Sequence, residues 1–204
     1  MRRWLLAISM TLLAASAFAH DRDHHRSMSI ESDGDSDSCD DRMVRFGNRR
    51  AAMSEEEVTV GSLRALKIRG DHAGIRVAGS TAGTFRVKVC KAAALPSDLA
   101  SIRVSLSGNE LSANGPDDND WVVFYIVDMP RGGDLGIDSQ NGPVSLRDVD
   151  GTVLARAQNG PLSLQNSSGN IDAETVNGPI SVTGGSGNVK LQTNNGPLSV
   201  KLSE

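Results

Sequence analysis

Broken at each Asn-Gly-Pro, residues Asn141–Glu204 read NGPVSLRDVDGTVLARAQ, NGPLSLQNSSGNIDAETV, NGPISVTGGSGNVKLQTN and NGPLSVKLSE. The Asn residues stand at 141, 159, 177 and 195, a period of 18 without slippage. A second turn mark falls near each half-period, at Gly151, Gly169 and Gly187. Apolar residues keep the same period: Val144, Leu162, Ile180 and Leu198 form one column, and Leu146, Leu164, Val182 and Val200 the next. Val153, Ile171 and Val189, then Ala155, Ala173 and Leu191, follow in the second half of each unit. They alternate with polar residues, the period-2 pattern of strands with one buried face. Each unit is therefore two short strands with two turns.

Two folds carry such a pattern. In an antiparallel meander, residues 18 apart lie two strands away from each other and never touch. In a β-solenoid with one coil per unit they stack about 4.8 Å apart. The outward residues favour stacking. Ser145, Ser163, Ser181 and Ser199 recur in all four units, and stacking sets Arg156 on Glu174 and Asp172 on Lys190, opposite charges both times. The two turns also differ in kind, as the two corners of a coil do. At one corner Asn141-Gly142, Asn159-Gly160, Asn177-Gly178 and Asn195-Gly196 supply residues that tolerate φ > 0. The following Pro suits the first position of a strand. The expected fold is all-β: a β-solenoid of 18-residue coils over 141–204, preceded over 56–140 by irregular strands that form its N-terminal cap.

Those lead-in strands are read at Glu57–Val60, Ala65–Ile68, Gly74–Val77, Thr84–Cys90, Ser101–Leu106 and Glu110–Ala113. The run Trp121–Val127 (WVVFYIV) has no alternation and is expected to be covered on both faces. That makes Trp121 and Tyr125 core residues rather than a ligand platform. Lys91–Leu99 is the one helix-like piece, interrupted by Pro96. Asn114-Gly115-Pro116 repeats the corner tripeptide out of phase with the other four. At the far end, Lys201 and Glu204 either blunt the last strand edge, or that edge pairs with another chain in weak self-association.

The N-terminus supplies the address. Arg2 and Arg3 precede the apolar run Trp4–Leu13, and Ala17-Phe18-Ala19 is a small-x-small cleavage site, so 1–19 reads as a secretory signal peptide. Export to the periplasm, cell surface or medium is expected. The chain from His20 carries 19 basic against 25 acidic residues, a net of −6, which does not suggest nucleic-acid binding. No apolar stretch is long enough to span a bilayer as a helix. Residues 20–55 begin with an acidic leader rich in His, Asp and Ser, expected to be disordered or loosely attached. Its His20, His24 and His25, with Asp21 and Asp23, fit at most a weak Cu or Zn cluster. Asp33, Asp35 and Asp37 resemble the start of a calcium loop but lack its Gly and terminal Glu. Neither is taken as a metal site, and no cofactor is expected. In an exported chain Cys39 and Cys90 can pair as a disulfide that ties the leader to the fold, or stand as two free thiols.

Over Glu56–Glu204 the sequence resembles a bacterial exported family named "putative adhesin" (domain of unknown function 4097). Its C-terminal half repeats NG-x-[VI]-x-[VL] alternating with x-G-x-[VI]-x-[AVL]. Here that pattern is Asn141–Val144, Gly151–Val153 and their copies out to Val200, led in by Val122–Pro130 and Leu135–Asp138. This chain differs in having Pro after every NG of the repeat. The resemblance implies a right-handed β-solenoid or β-helix-like fold and an envelope location. It carries no catalytic or ligand residues over.

Three function classes meet these residues. Glycoside chemistry needs two carboxylates about 5–10 Å apart in a groove. Asp172 and Glu174, two apart on one strand, are the pair to consider, and each has a basic or polar neighbour in its column that explains it as surface electrostatics. No nucleophile elbow, zinc-protease helix or phosphate loop occurs, so a non-enzyme is expected. The Ser145, Ser163, Ser181, Ser199 ladder reads either as plain small polar strand residues or as a repeated surface for an envelope protein or a glycan. The chain has 7 aromatic residues, few for a sugar-stacking strip. A structural or protein-interaction module is the favoured reading, with surface adhesion or glycan binding as the alternative.

Overall fold

The computed structural model describes residues 28–32, 38–117 and 120–201. The signal peptide, His20, His24, His25, the Asp33, Asp35, Asp37 series and Glu204 lie outside the described residues. In chain order the elements are β1 (Met28–Ser32), β2 (Arg42–Phe46), β3 (Arg49–Arg50), β4 (Ala52–Val58), β5 (Ala65–Ser80) and β6 (Arg86–Ala93). A single helical turn α1 (Pro96–Leu99) follows, then β7 (Arg103–Ser107), β8 (Glu110–Asn114), β9 (Trp121–Pro130) and β10 (Gly133–Asn141). The remaining strands alternate short and long: β11 (Val144–Arg147), β12 (Asp150–Asn159), β13 (Leu162–Gln165), β14 (Ser168–Asn177), β15 (Ile180–Thr183), β16 (Asn188–Asn195) and β17 (Leu198–Lys201). The fold is all-β.

Every pairing inside the repeat region is parallel. Val144 lies beside Leu162, Leu162 beside Ile180 and Ile180 beside Leu198 on the short strands. On the long strands Val153, Ile171 and Val189 line up in the same way. An antiparallel meander is not what these residues form. Short strands make one sheet and long strands the other, and alternate residues of both point into the space between. Leu162, Leu164, Ile171, Ala173 and Ile180 are each at most 2% exposed there. At about 1.5–3 kcal/mol for each large aliphatic side chain buried, these columns are the main favourable term of the region.

The 16-residue β5 corrects the expectation of two separate lead-in strands. Its first half pairs with β10 (Leu66 beside Leu135) and its second with β11 (Ile75 beside Val144), so it lays down the same inward columns one rung earlier. The bend between the halves uses Gly70, where a Cβ would stand 2.7 Å from the Cβ of Ala73. Because β5 belongs to both faces, the two sheets are one continuous 14-stranded sheet wrapped around the core.

Beneath β5 the stack is closed. β8 and β9 pair with it in parallel, and the antiparallel strands β7, β6 and β4 extend outward from them. β9 is buried on both faces as its composition predicts: Val123, Tyr125 and Val127 face the main core, while Val122, Phe124 and Ile126 face a second cluster with Val44, Phe46 and Ala92. That second cluster revises the reading of 20–55 as a loosely attached leader. β1, β2 and β3 form a small antiparallel sheet in this segment, and Val44 and Phe46 are at most 1% exposed. The polar composition of the first part of the segment hid the apolar content of Met43–Met53, which covers the outer side of β9. Cys39 and Cys90 form a disulfide across a separation of 51 residues, pinning this cover to β6. Pro96 starts the helical turn rather than interrupting one, the position where a missing N–H costs least.

Candidate functional site

Three surfaces come from the repeat. The first is the corner column. Asn159 Nδ2 donates to Asn141 Oδ1 at 3.1 Å, Asn177 to Asn159 at 2.9 Å and Asn195 to Asn177 at 3.0 Å. At the base, Asn141 Nδ2 donates to the Asp71 carbonyl at 3.1 Å. The backbone N–H groups of Gly142, Gly160 and Gly178 donate to the carbonyls of Asn159, Asn177 and Asn195, each one rung further on. Positive φ occurs at Gly142 (137°) and Gly160 (149°), yet a second constraint acts at Gly160, Gly178 and Gly196 alike. A Cβ at any of them would overlap the carbonyl of the glycine one rung before. The Asn-Gly pairs thus satisfy backbone groups and let successive corners approach. The out-of-phase Asn114-Gly115-Pro116 behaves differently: Trp121 folds over it, donating Nε1–H to the Pro116 carbonyl at 2.9 Å and meeting His72 edge-on at 5.9 Å between centroids.

The second surface is the outer face of the short strands. Ser145, Ser163, Ser181 and Ser199 are in register. The hydroxyls of Ser163 and Ser145 are 3.3 Å apart. At the ladder's base, Arg76 pairs in register with Ser145 and is buried. A pocket of about 320 Å³ lies beside it, lined by Ile30, Arg42, Phe124, Pro143 and Ser145, with the Arg42 guanidinium 4.9 Å over the Phe124 ring. Phe124 and Tyr125 are the aromatic residues among the pocket's walls, and they are 3% and 0% exposed.

On the opposite face the charges are spent on each other. Arg156 Nε lies 3.8 Å from Glu174, and Lys190 Nζ 3.1 Å from Asp172. Each carboxylate of the one candidate acid pair therefore has a cation one rung away. Glu110 accepts a 2.7 Å hydrogen bond from Lys67, which, with the charges of Lys67 and Arg69, holds its carboxyl below the usual range. Among the described residues, no three His, Cys, Asp or Glu side chains gather as a metal site. No described helix is long and apolar enough to cross a membrane.

The third surface is the far strand edge, which the sequence reading left either blunted or open to pairing with another chain. Val189, Leu198 and Val200 occupy inward columns, yet they are 38%, 49% and 47% exposed, against 1–5% for Ile171, Ile180 and Val182 one rung earlier. A pocket of about 390 Å³ opens between β16 and β17, with Leu164, Val182, Leu191 and Val200 among its walls. β16 and β17 each have a paired edge toward β14 and β15 and a second edge facing outward. The column positions of these residues, read for the last unit alone, already contained that signal.

No family model matches the chain, and no curated protein matches it. Among solved structures it is similar to a "putative cell adhesion protein" from Clostridium sporogenes, at a TM-score of 0.50 and 10% identity, over 75% of this chain and 100% of that one. This likeness is one of fold. A "putative adhesin" from Bacteroides fragilis (13% identity, TM-score 0.27, 74% of this chain and 97% of that one) also aligns. So does a "putative lipid binding protein" from Parabacteroides distasonis (9% identity, TM-score 0.26, 74% and 97%). The last two superpose too loosely to bear on function here.

Proposed function

We propose that this chain is an exported, non-catalytic structural and protein-interaction module, built as a β-solenoid of 18-residue coils and belonging with the adhesin-like exported proteins it resembles. The observation that carries the reading is the last described rung: among the described residues, apolar columns buried in every earlier rung emerge there between two strand edges that have no partner strand. Parallel sheets are normally covered, and a bare edge with exposed apolar residues pairs with another strand. The occupant that fits is a second copy. If two β16 strands pair antiparallel about a two-fold axis at Leu191, Lys190 of one copy faces Gln192 of the other, Asn188 faces Asn194 and Val189 faces Thr193. Lys190, the one charged side chain of β16, meets no like charge, and each copy's Leu198 and Val200 are brought to the other's open core. The Cys39–Cys90 disulfide supports an oxidising, extracytoplasmic setting. The acidic side chains give no support to glycoside chemistry, since Asp172 and Glu174 are ion-paired along the stack.

The test is the mass of the exported chain in solution, by light scattering across a concentration series, with in-cell crosslinking alongside. The expected result is a concentration-dependent dimer that Val200→Asp disperses and Ser181→Asp, on the outer face, leaves intact. A monomer at all concentrations, or a dimer indifferent to Val200→Asp, refutes the last described rung as the interaction surface. Recovery of surface glycan instead of protein supports adhesion in its place.

A further inference from the structure

The 16-residue β5 makes one full coil, so its two ends return to the same corner. Ala65 at its start pairs with Asp134, and Ser80 at its end with Pro130, on either side of the turn between β9 and β10. Gly133 is in register with Gly151, so this is the second corner of the coil, one rung before the repeat. The turns β4–β5, β5–β6 and β9–β10 meet there around a recess of about 350 Å³. Arg64, Arg131, Ser62 and Thr84 stand in its walls, with Leu63 and Pro130 as the apolar ones. The four polar residues are exposed, and no acidic side chain lines the recess. Asp128 and Asp134, which flank the β9–β10 turn in sequence, lie outside its walls.

Elsewhere on the surface many cations are matched. Lys67, Lys88, Lys91, Arg156 and Lys190 each have a carboxylate within 3.8 Å. Among the described residues Arg64 and Arg131 form no ion pair, and the hydroxyls of Ser62 and Thr84 make no hydrogen bond. Arg103 on β7 is unpaired too, but it stands on a strand rather than in this recess. Two cations lining one recess without a carboxylate repel each other, and a bound anion removes that cost.

We propose that this corner recess is a binding site for the phosphoryl group of a phosphorylated sugar. Donors from three separate turns suit a tetrahedral oxyanion, which presents acceptors in several directions, whereas one guanidinium fork is enough for a planar carboxylate. The volume is at the lower end for ligand sites, and it exceeds what a phosphoryl group fills, leaving room for one sugar ring beside Leu63 and Pro130. The recess is built by turns of the lead-in strands and uses nothing from β16 or β17. It therefore stands or falls separately from self-association.

The test is calorimetry of the exported chain with a hexose phosphate, repeated with the neutral hexose, a hexuronate and inorganic phosphate. The expected result is saturable binding of the hexose phosphate at about 1 mM or tighter, displaced by inorganic phosphate, with weaker binding of the hexuronate and none of the neutral hexose. Arg64→Ala and Arg131→Ala each weaken it roughly tenfold or more, as loss of a charge-assisted hydrogen bond does. Arg103→Ala removes the same charge from β7 and leaves binding unchanged. All three side chains are exposed, so the variants keep the parent's thermal midpoint. No saturable binding, a hexuronate that binds as tightly, or an equal loss on Arg103→Ala overturns the proposal. Two sources of the sugar phosphate are separated by passing envelope glycan over the immobilised chain. Glycan that is retained, and released by phosphatase, puts the phosphate on a polymer; hexose phosphate binding with no glycan retained puts it on a free sugar, and either supports the site.

Discussion

Gly169→Val is the sharpest perturbation of the stack, and Ser163→Ala is its control. Gly169 has φ +100°, a conformation that costs an ordinary residue about 1–3 kcal/mol. A Cβ there would also overlap the Gly151 carbonyl oxygen and stand 2.9 Å from the Gly151 nitrogen, both rigid backbone of the neighbouring rung. Relief requires β14 to move off β12, weakening one or two backbone hydrogen bonds worth about 0.5–1.5 kcal/mol each. The total is about 3–5 kcal/mol. Ser163→Ala removes only a half-exposed hydroxyl 3.3 Å from Ser145, worth less than about 1 kcal/mol. For a domain of this size a kcal/mol moves Tm by about 2–4 °C, so thermal unfolding followed by circular dichroism should show a drop of roughly 6–20 °C for the first variant and under about 4 °C for the second. Midpoints within about 2 °C of one another would refute the close-approach argument and the rung assignment behind it.

Other outcomes follow from single features. Asn166 is left-handed at φ 46°, so Asn166→Gly should be neutral or slightly stabilising while Asn166→Val costs about 1–2 kcal/mol or more, measured by urea denaturation. Replacing both cysteines with Ser frees the cover over β9. The chain-entropy relation for a loop of about 50 residues gives a loss of about 4 kcal/mol, and β1–β3 should become the first site of limited proteolysis. Tyr125, the one tyrosine in the chain, is wholly buried, and burial with Asp71 nearby pushes its hydroxyl pKa well up. Its raised folded value means that the associated stability is intact below the unfolded pKa of about 10 and is lost as pH rises above it. Tyrosinate absorbance should therefore appear together with alkaline unfolding; an ordinary titration with the fold intact would contradict the burial.

The repeat was legible because its two signals agree. The 18-residue recurrence of Asn-Gly-Pro marks one corner, and the alternating columns mark the faces that meet inside. Opposite charges at Arg156 and Glu174, and at Asp172 and Lys190, favour parallel stacking over a meander, and both pairs are in contact. Less was visible where a rung lacks the motif. β5 turns its corner through Gly70, Asp71, His72 and Ala73 with no Asn-Gly-Pro, and the chain then runs out through β6–β9 before returning, so its place as an earlier rung has no periodic mark. Gly151, Gly169 and Gly187 mark the second corner, and Gly169 and Gly187 do have positive φ, but a further left-handed column lies three earlier, at Asp148, Asn166 and Gly184. Asp, Asn and Gly all tolerate that conformation, so the column shows no identity to catch the eye. The cover from Arg42 to Met53 was hidden for another reason. It packs on β9, far away in sequence, and Val44 and Phe46 form no periodic pattern of their own.

Stacking of residues 18 apart is the claim on which the rest depends, and paired-cysteine crosslinking tests it most directly. Both native cysteines are engaged with each other, so new pairs can be read against that background by peptide mapping. Adjacent parallel strands lie about 4.8 Å apart, inside disulfide reach, while strands two rungs apart lie beyond it. Ser163→Cys with Ser181→Cys should crosslink on mild oxidation, and Ser163→Cys with Ser199→Cys should not. Failure of the first pair in a folded chain, or preferential crosslinking of the second, would contradict the stacked account.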